Sequence, residues 1–523
     1  MLSGDYLFTF LVQMIRPATR FTLRCVPPAI ALALLVGLIA SAAWTDSAFA
    51  GSPNAQVPLG LRWSLPQQIP GYDIEAAAPY LIADENRTVH AFNSVRVGQR
   101  LIIVYSQWTR ANGWTNPIDI LLSPWKDQAR ILGAELDRNG MVHLTFFGGD
   151  ELGASIYYTK AHLSEVSRAH SWSKPLEVGN LALAPANGAL VVDPNGRVTI
   201  VYSGYRDGFG LYSISSSDWG ETWKEPITAY LAPDGDFWPF ALNIVLDEQN
   251  NLHAVWTLVN RSGNGEAVYY ANLDVEHLVW SDSFLLARRD PGDYEADWGS
   301  IAYYNDELIV VYNDSFPATR WMRRSADGGR TWSDPVLPFN FVGEYRFASF
   351  VIDAENFLHM FLGNRTRDAT HGMWHSVWLG DRWSDLQPVV SGPRITEGDV
   401  NGRFDPTGPV AVLSQGNTIL VTWSTDPGAG RNGVWYSFGL LNSPEQPVVT
   451  LVSPTPRPTR TPLVMPVLQE TATPDVQILA LRSDAPPTRT AEFNPIIVLV
   501  AALVPSTLLI SVVLIFFGSR FRS

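Results

Sequence analysis

Three arginines have the type and spacing to form an anion-binding site. Arg130 and Arg346 each lie seven residues before the aspartate of a predicted hairpin turn, Asp137 and Asp353, so they occupy one position of a repeated pattern. Arg403 enters the last repeat. Converging guanidinium groups suit a carboxylate, which they bind through paired hydrogen bonds. The alternative is that each arginine forms salt bridges with neighbouring Asp and Glu side chains.

Acidic and aromatic side chains are concentrated in the same class of segments, which enter the first strand or follow the second strand of a repeat. They are Asp207, Asp236, Trp238, Glu295, Asp297, Trp298 and Tyr345. Acidic groups can bind sugar hydroxyls or transfer protons. Trp238 and Trp298 can stack on sugar rings, or they can pack between neighbouring sheets. These residues complete the predicted binding surface.

Four histidines share one repeat position, directly after a predicted hairpin turn. They are His90, His143, His253 and His359. A shared position indicates packing rather than catalysis or metal binding. The single cysteine, Cys25, excludes a disulfide framework and a Cys-ligated zinc site. Since metal-binding and nucleophile motifs are also missing from the sequence, we predict neither a metal nor a cofactor.

The composition predicts a folded, acidic protein. The chain has 523 residues, 12% of them aromatic and 17% charged, which excludes wholesale disorder. The net charge of −14 argues against nucleic acid as a partner. An anionic ligand therefore needs a local cluster of arginines.

A tryptophan motif recurs through the chain at a mean spacing of about 53 residues, which is typical of a repeat architecture. It is centred on Trp63, Trp114, Trp172, Trp223, Trp280, Trp332 and Trp383. A predicted hairpin alternates with each motif, so every unit contains about four short antiparallel strands. Such units arranged in a ring form an all-β fold, the β-propeller, and the tryptophans are expected to pack between blades.

The order of the motifs predicts how the ring closes. Arg62–Pro70 resembles a fourth strand with no preceding three, while residues 409–441 supply three strands with no fourth. Pairing them gives seven blades and protects the sheet edges. A segment at Gln446–Val452 is the alternative outer strand, and six blades is the alternative count. In either case the hairpin turns lie on the underside, and ligands are expected at the opposite mouth of the channel.

Two turns between third and fourth strands fit the pattern S-x-D-x-G-x-T-W, and their defining residues are Ser216, Asp218, Gly220, Trp223, Ser325, Asp327, Gly329 and Trp332. Residues 61–442 therefore resemble the sialidase-like superfamily of propellers with Asp-box (BNR) repeats. The resemblance implies that these turns are structural and lie away from the ligand.

The same resemblance implies a glycoside hydrolase site. Arg130, Arg346 and Arg403 would bind the substrate carboxylate, Tyr345 would be the nucleophile assisted by Glu295, and Asp207 would be the acid. Sialidases have six blades and carry an Arg-Ile-Pro motif near the start, whereas this chain has Tyr345-Arg346-Phe347-Ala348 late in the sequence. The alternative is a non-catalytic head that binds carbohydrate or a cell-surface protein.

The termini predict a membrane-anchored head outside the cell. Residues 1–50 resemble a signal peptide, with an uncleaved helix as the alternative, and residues 51–442 form the head. Residues 443–494 are a Pro/Thr-rich linker, residues 495–518 a transmembrane helix, and residues 519–523 a cytoplasmic tail.

Overall fold

The computed structural model describes residues 57–447, apart from 59, 73–75, 127, 151–152, 184–186, 291–295, 315–318, 341–345, 365–368, 393–405 and 426–432. In this part of the chain seven antiparallel sheets form the seven blades of a propeller. The predicted signal peptide, transmembrane helix and cytoplasmic tail lie outside the described residues, as does the linker beyond residue 447. A search of the described residues finds no helix with the length and apolar character to cross a bilayer.

Each blade runs outwards from an inner strand at the channel. The first strand of the chain is β1 (Gln67–Gln68), and blades 1 to 3 contain β2 (Tyr80–Ala83), β3 (Val89–Val97), β4 (Arg100–Thr109), β5 (Gly113–Trp114), β6 (Ile118–Leu121); β7 (Ala129–Leu136), β8 (Met141–Asp150), β9 (Gly153–His162), β10 (Leu176–Asn180); and β11 (Gly188–Val192), β12 (Val198–Gly204), β13 (Gly210–Ser216), β14 (Ile227–Leu231). Two short 3-10 helices, Leu163–Glu165 and Ala169–Ser171, precede β10.

The remaining blades follow the same order. Blades 4 to 7 contain β15 (Phe237–Leu246), β16 (Leu252–Asn260), β17 (Gly265–Asp274), β18 (Val279–Trp280), β19 (Phe284–Arg288); β20 (Ala296–Tyr304), β21 (Glu307–Asp314), β22 (Thr319–Ser325); β23 (Ser349–Ile352), β24 (Leu358–Asn364), β25 (Gly372–Val377), β26 (Gln387–Ser391); and β27 (Pro406–Ser414), β28 (Thr418–Thr425), β29 (Val434–Leu440). In blade 5 the predicted fourth strand is reduced to one bridge, Met322 to Val336, because Pro335 and Pro338 flank it and cannot donate to a ladder.

The hydrophobic core is divided among the seams between blades. Seven clusters of buried residues each join two neighbouring sheets, because one sheet alone cannot bury both of its faces. All seven repeat tryptophans contact the preceding blade, in the pairs Trp63–Phe361, Trp114–Tyr436, Trp172–Phe92, Trp223–Tyr158, Trp280–Ser213, Trp332–Tyr270 and Trp383–Met322. The predicted packing of these tryptophans between blades is confirmed.

The ring closes as the order of the motifs predicts. Strand β1 pairs with β29, with Gln67 opposite Tyr436, and Trp63 bridges Gly439. Blade 7 therefore takes its outer strand from the start of the head and three strands from its end. The seven-blade count is confirmed and the alternative of six blades is wrong. The strand that pairs with β29 is β1 and not the alternative segment Gln446–Val452.

The underside is built from repeated polar turns. In blades 1, 2, 3 and 6 the hairpin aspartate accepts two backbone N–H groups, as Asp137 does from Asn139 and Met141 at 2.8 Å each. In blades 1, 2, 4 and 6 the repeat histidine lies close to the hairpin aspartate. His143 is buried, with Nε2 3.2 Å from Asp137 and Nδ1 2.6 Å from the Tyr158 hydroxyl. The prediction that these histidines are structural is confirmed.

The two Asp-box turns have the same hydrogen bonds. The Ser216 hydroxyl accepts from Gly220 N at 2.9 Å, and the Asp218 carboxylate accepts from Thr222 N at 2.9 Å; Ser325 and Asp327 repeat these contacts at 2.8 and 2.9 Å. Each turn lies against a tyrosine of the preceding blade. The Tyr270 hydroxyl donates to Gly328 O at 3.1 Å. These turns therefore join neighbouring blades on the underside.

The last described residues cross the underside of the closing seam. Gln446 N donates to Gln415 O of blade 7 at 2.8 Å. Glu445 forms ion pairs with Arg87, at 3.2 Å, and with Arg110, both in underside turns of blade 1. The segment from Leu441 to Pro447 thus links blades 7 and 1.

Candidate functional site at the channel mouth

Bulges in the inner strands decide which side chains face the channel mouth. The pairing of the inner strands shifts register at Ile131/Gly133, Phe240/Asn243, Asp297/Ser300 and Thr407/Val410. A bulge inserts residues into one strand and redirects the side chains around it. Near the channel mouth, the inner segments of blades 4, 5, 6 and 7 each contain one residue with a left-handed φ angle. These angles are 50° at Ala241, 53° at Trp298, 63° at Arg346 and 53° at Gly408.

The predicted repeat position of the two arginines is confirmed. Arg130, Trp298, Arg346 and Gly408 each lie six residues before the last paired residue of an inner strand, which is Leu136, Tyr304, Ile352 and Ser414 respectively. The same repeat position therefore supplies arginines in blades 2 and 6 and a tryptophan in blade 5.

All seven inner strands contribute to one cavity of about 820 Å³. Its lining includes Arg96, Arg130, Trp298 and Arg346 at the mouth and Glu135 further along the channel. A cavity of this size accommodates a small ligand such as one or two sugar rings. The structure therefore brings two of the three predicted arginines and one predicted tryptophan to a single cavity.

Arg96 and Arg130 form a cationic wall on one side of this cavity. The Ser94 hydroxyl accepts from Ile131 N at 2.7 Å, and Arg96, two residues further on the same face of β3, reaches towards Arg130. Enclosure by protein lowers the pKa of Arg130, and the charge of Arg96 lowers it further. Within the described residues neither guanidinium forms an ion pair or a hydrogen bond, so the predicted alternative of salt bridging is not seen for Arg130.

Trp298 and Arg346 form a second wall. The Arg346 guanidinium carbon lies 5.7 Å from the centre of the Trp298 ring, a cation–π arrangement. Phe240 and Phe347 contact the Trp298 ring edge-on at 5.7 and 5.0 Å. The Trp298 backbone N–H donates to the Thr257 hydroxyl at 3.0 Å. The ring is thus held on several sides beside a positive charge.

Glu135 is a carboxyl group inside the channel. It lies on β7, five residues after Arg130, and its side chain contacts the channel solvent while the inner strands enclose it. Although Glu135 is exposed to the channel, desolvation by the surrounding strands raises its pKa to about 7. No hydrogen bond or ion pair from the described part of the chain reaches its carboxylate. The group can therefore exchange a proton near neutral pH.

The other predicted site residues lie apart from this cavity or outside the described residues. Asp207 is exposed and accepts from the Thr228 hydroxyl at 3.0 Å, and Asp236 pairs with Arg261 at 2.6 Å. Trp238 is half-buried at the start of β15, and Asp297 is buried directly before Trp298. None of these four is among the described residues that line the cavity. Glu295, Tyr345 and Arg403 lie outside the described residues.

Sequence reasoning missed Arg96 and Glu135. Arg96 lies near the end of β3, the second strand of blade 1, just before a tight turn at Gly98. Its charge beside that glycine was the one feature of the sequence that could have indicated a position at the channel mouth. Glu135 lies two residues before the turn aspartate Asp137. A glutamate in a mostly apolar inner strand was the feature of the sequence that could have indicated a group in the channel. A group of three or more His, Cys, Asp or Glu side chains placed to hold a metal ion is not found in the described ranges.

The fold and the site together define a seven-bladed β-propeller with a cationic and aromatic channel mouth. The predicted β-propeller fold is therefore confirmed.

Several solved structures are similar to this chain. They include a protein of unknown function from Dyadobacter fermentans (16% identity over 73% of this chain and 100% of that one, TM-score 0.45), a PL25 ulvan lyase (12%, 72% and 96%, 0.47) and the NanB sialidase from Streptococcus pneumoniae (12%, 75% and 71%, 0.41). Neither the protein-family models nor the curated proteins gave a match.

Proposed function

We propose that the channel mouth binds glycans that carry a carboxylate group. The observation that carries this proposal is the convergence of Arg96, Arg130 and Arg346 on one cavity that also contains Trp298. Arginines offer paired donors to a carboxylate, and the aromatic ring suits the apolar face of a sugar. Carbohydrate is thus the proposed partner, as the sequence predicts.

Electrostatics support an anionic ligand. The chain carries a net charge of −14, so an anion meets a repulsive field over most of the surface. Arg96 and Arg130 repel each other across the wall they share, which contributes to the lowered pKa of Arg130. A carboxylate placed between them replaces this repulsion with two charge-assisted interactions. Binding is therefore expected to weaken as salt concentration rises.

The proposal keeps the predicted location of the head. The apolar segment at 495–518 and the signal-like segment at 1–50 support a head held outside the cell by a membrane helix. Cysteine modification with a membrane-impermeant reagent, at an engineered Ser262→Cys site in cells that express the full chain, tests this location. Labelling only after lysis would contradict it.

The binding proposal is tested by calorimetric titration of the full chain with 3′-sialyllactose, a glucuronate-ended disaccharide and neutral lactose. We expect at least one acidic probe to bind at least about tenfold more tightly than lactose, and Arg130→Ala to remove about tenfold of that affinity. Arg168→Ala, at an exposed arginine paired with Glu165, is the matched control. Equal binding of all three sugars, or none, would contradict the proposal.

Hydrolysis stays a prediction that the same material can test. A fluorogenic sialoside that the full chain cleaves, and that Tyr345→Phe does not, would extend the proposal from binding to catalysis. The Asp207→Asn variant tests the role of the predicted acid separately from the other predicted site residues. Binding of acidic probes without turnover would assign the head to recognition, the alternative that the sequence leaves open.

A further inference from the structure

Arg320 is an arginine buried inside blade 5. It lies on β22 opposite Asn313, and only 2% of its surface is exposed. Arginine is almost never fully buried unless it has a specific partner, because removing its charge from water is costly. Burial lowers the pKa of Arg320 to about 9, and the charge of Asp297 acts in the opposite direction. The buried guanidinium of Arg320 therefore depends on specific partners.

Arg320 interacts with one residue of the second wall, Arg346, and with the neighbour of the other, Trp298. Its Nη2 donates to the backbone carbonyl of Arg346 at 2.9 Å. Its charge interacts with Asp297, which is bonded directly to Trp298. One guanidinium is thus hydrogen-bonded to the backbone of Arg346 and interacts electrostatically with the residue that precedes Trp298.

Both residues have a backbone conformation that is unfavourable for their types. Trp298 and Arg346 have φ angles of 53° and 63°, whereas blade 7 places glycine, Gly408, at the equivalent position. Large side chains are uncommon in this left-handed region, and such residues persist only where their surroundings hold them. Trp298 and Arg346 therefore line the cavity although their backbone conformation is unfavourable for large side chains.

We propose that Arg320 is a positioning residue, which fixes Arg346 and Trp298 in the arrangement that binds the anion and the sugar ring. The inference rests on the proposed function, since it assigns Arg320 a part in that site. Arg320 does not touch the ligand. It acts through the Arg346 carbonyl and through Asp297, so the cation–π contact exists before a ligand arrives, which reduces the cost of ordering the site on binding.

The test uses the full chain labelled with 5-fluorotryptophan and followed by fluorine NMR. The Trp298→Phe variant assigns the Trp298 resonance by its loss. In Arg320→Lys we expect a shifted or broadened Trp298 resonance, with the resonances of the repeat tryptophans between the blades unchanged, because lysine cannot reproduce the planar fork. The matched control is Arg323→Lys on the same strand, where the native guanidinium donates to Ser333 O at 2.8 Å, away from the site.

Affinity supplies the second readout. Arg320→Lys is expected to lose about tenfold in affinity for whichever acidic probe the wild-type chain binds, without a matching loss for lactose. Arg320→Gln is the second variant. The measurements use whichever of the two variants has the circular dichroism spectrum of the wild type. A wild-type Trp298 resonance together with wild-type affinity would overturn the proposal. If the wild-type chain binds no acidic probe, the proposed function fails, while the resonance still decides whether Arg320 orders Trp298.

Discussion

At the scale of single residues, desolvation is the largest cause of the pKa shifts of two charged groups in the channel. Glu135 and Arg130 share one inner strand, and no ion pair within the described residues engages either side chain. Both shifts follow from burial, which raises the pKa of the carboxyl group and lowers that of the guanidinium. A ligand that enters the channel therefore meets groups whose charge is sensitive to what surrounds them.

The pKa of Glu135 predicts a pH-dependent cost to stability. Its folded-state pKa of about 7 lies above the ordinary value of 4.5, so the folded chain binds the proton more tightly than the unfolded chain. The free energy of unfolding therefore falls as pH rises from about 4.5 to 7. We expect Glu135→Gln to be more stable than wild type by about 1 kcal/mol at pH 8, since channel water screens part of the burial effect, with little difference at pH 5.

Urea unfolding of the full chain at both pH values measures this difference. Glu248→Gln, at an exposed glutamate in an underside turn, serves as the control and should not change with pH in the same way. A Glu135→Gln variant no more stable than wild type at pH 8 would contradict the assignment.

At the scale of elements, the repeat was predictable where side chains follow a regular period. The tryptophans, the turn aspartates and the histidines recur at fixed places, so their packing between blades or behind turns could be predicted from spacing alone. The closure by Arg62–Pro70 followed from the same count. The hydrogen bonds from each histidine to a residue about fifteen positions later needed the paired strands to be seen.

The channel lining was less predictable because bulges change the parity of the inner strands. On a regular strand, residues five apart such as Arg130 and Glu135 point to opposite faces. The extra residue between Ile131 and Gly133 places both in the channel. A sequence pattern does not reveal such an insertion, and it gave no sign of buried Arg320. The shared repeat position of Arg130 and Arg346 was nevertheless correct.

The Asp-box turn of blade 5 offers a matched test of packing between elements. Gly328 and Gly329 both have left-handed φ angles, 72° and 84°. A Cβ at Gly328 meets open space, whereas one at Gly329 would overlap the Tyr270 hydroxyl. We expect Gly329→Ala to lower the free energy of unfolding by about 3 kcal/mol and Gly328→Ala by about 1 kcal/mol, as measured by urea unfolding. Equal losses would show that backbone strain alone sets the cost.

At the scale of the whole molecule, the ring is held closed by contacts between the two ends of the head. Trp63 packs edge-on against Phe361 and His375 at 5.6 Å each, beside the β1–β29 pair. We expect Trp63→Ala to lower the free energy of unfolding by about 2 to 3 kcal/mol, since the ring is half-buried, and to speed amide exchange across β29. Urea unfolding and hydrogen-exchange mass spectrometry of the full chain measure these two effects.

Trp125 is the control for this prediction, because it lies on a top loop with 38% of its surface exposed. Trp125→Ala should leave exchange in β29 unchanged. Wild-type exchange of β29 in the Trp63→Ala variant would show that the remaining three strands of blade 7 close the ring without the start of the head.

The crossing of Leu441–Pro447 beneath blades 7 and 1 has a consequence for orientation. The chain leaves the propeller on the side of the polar turns, after Glu445 has engaged Arg87 and Arg110. The arginine-lined opening lies at the far end of the axis. The last described residue, Pro447, therefore lies on the opposite side of the ring from the arginine-lined opening.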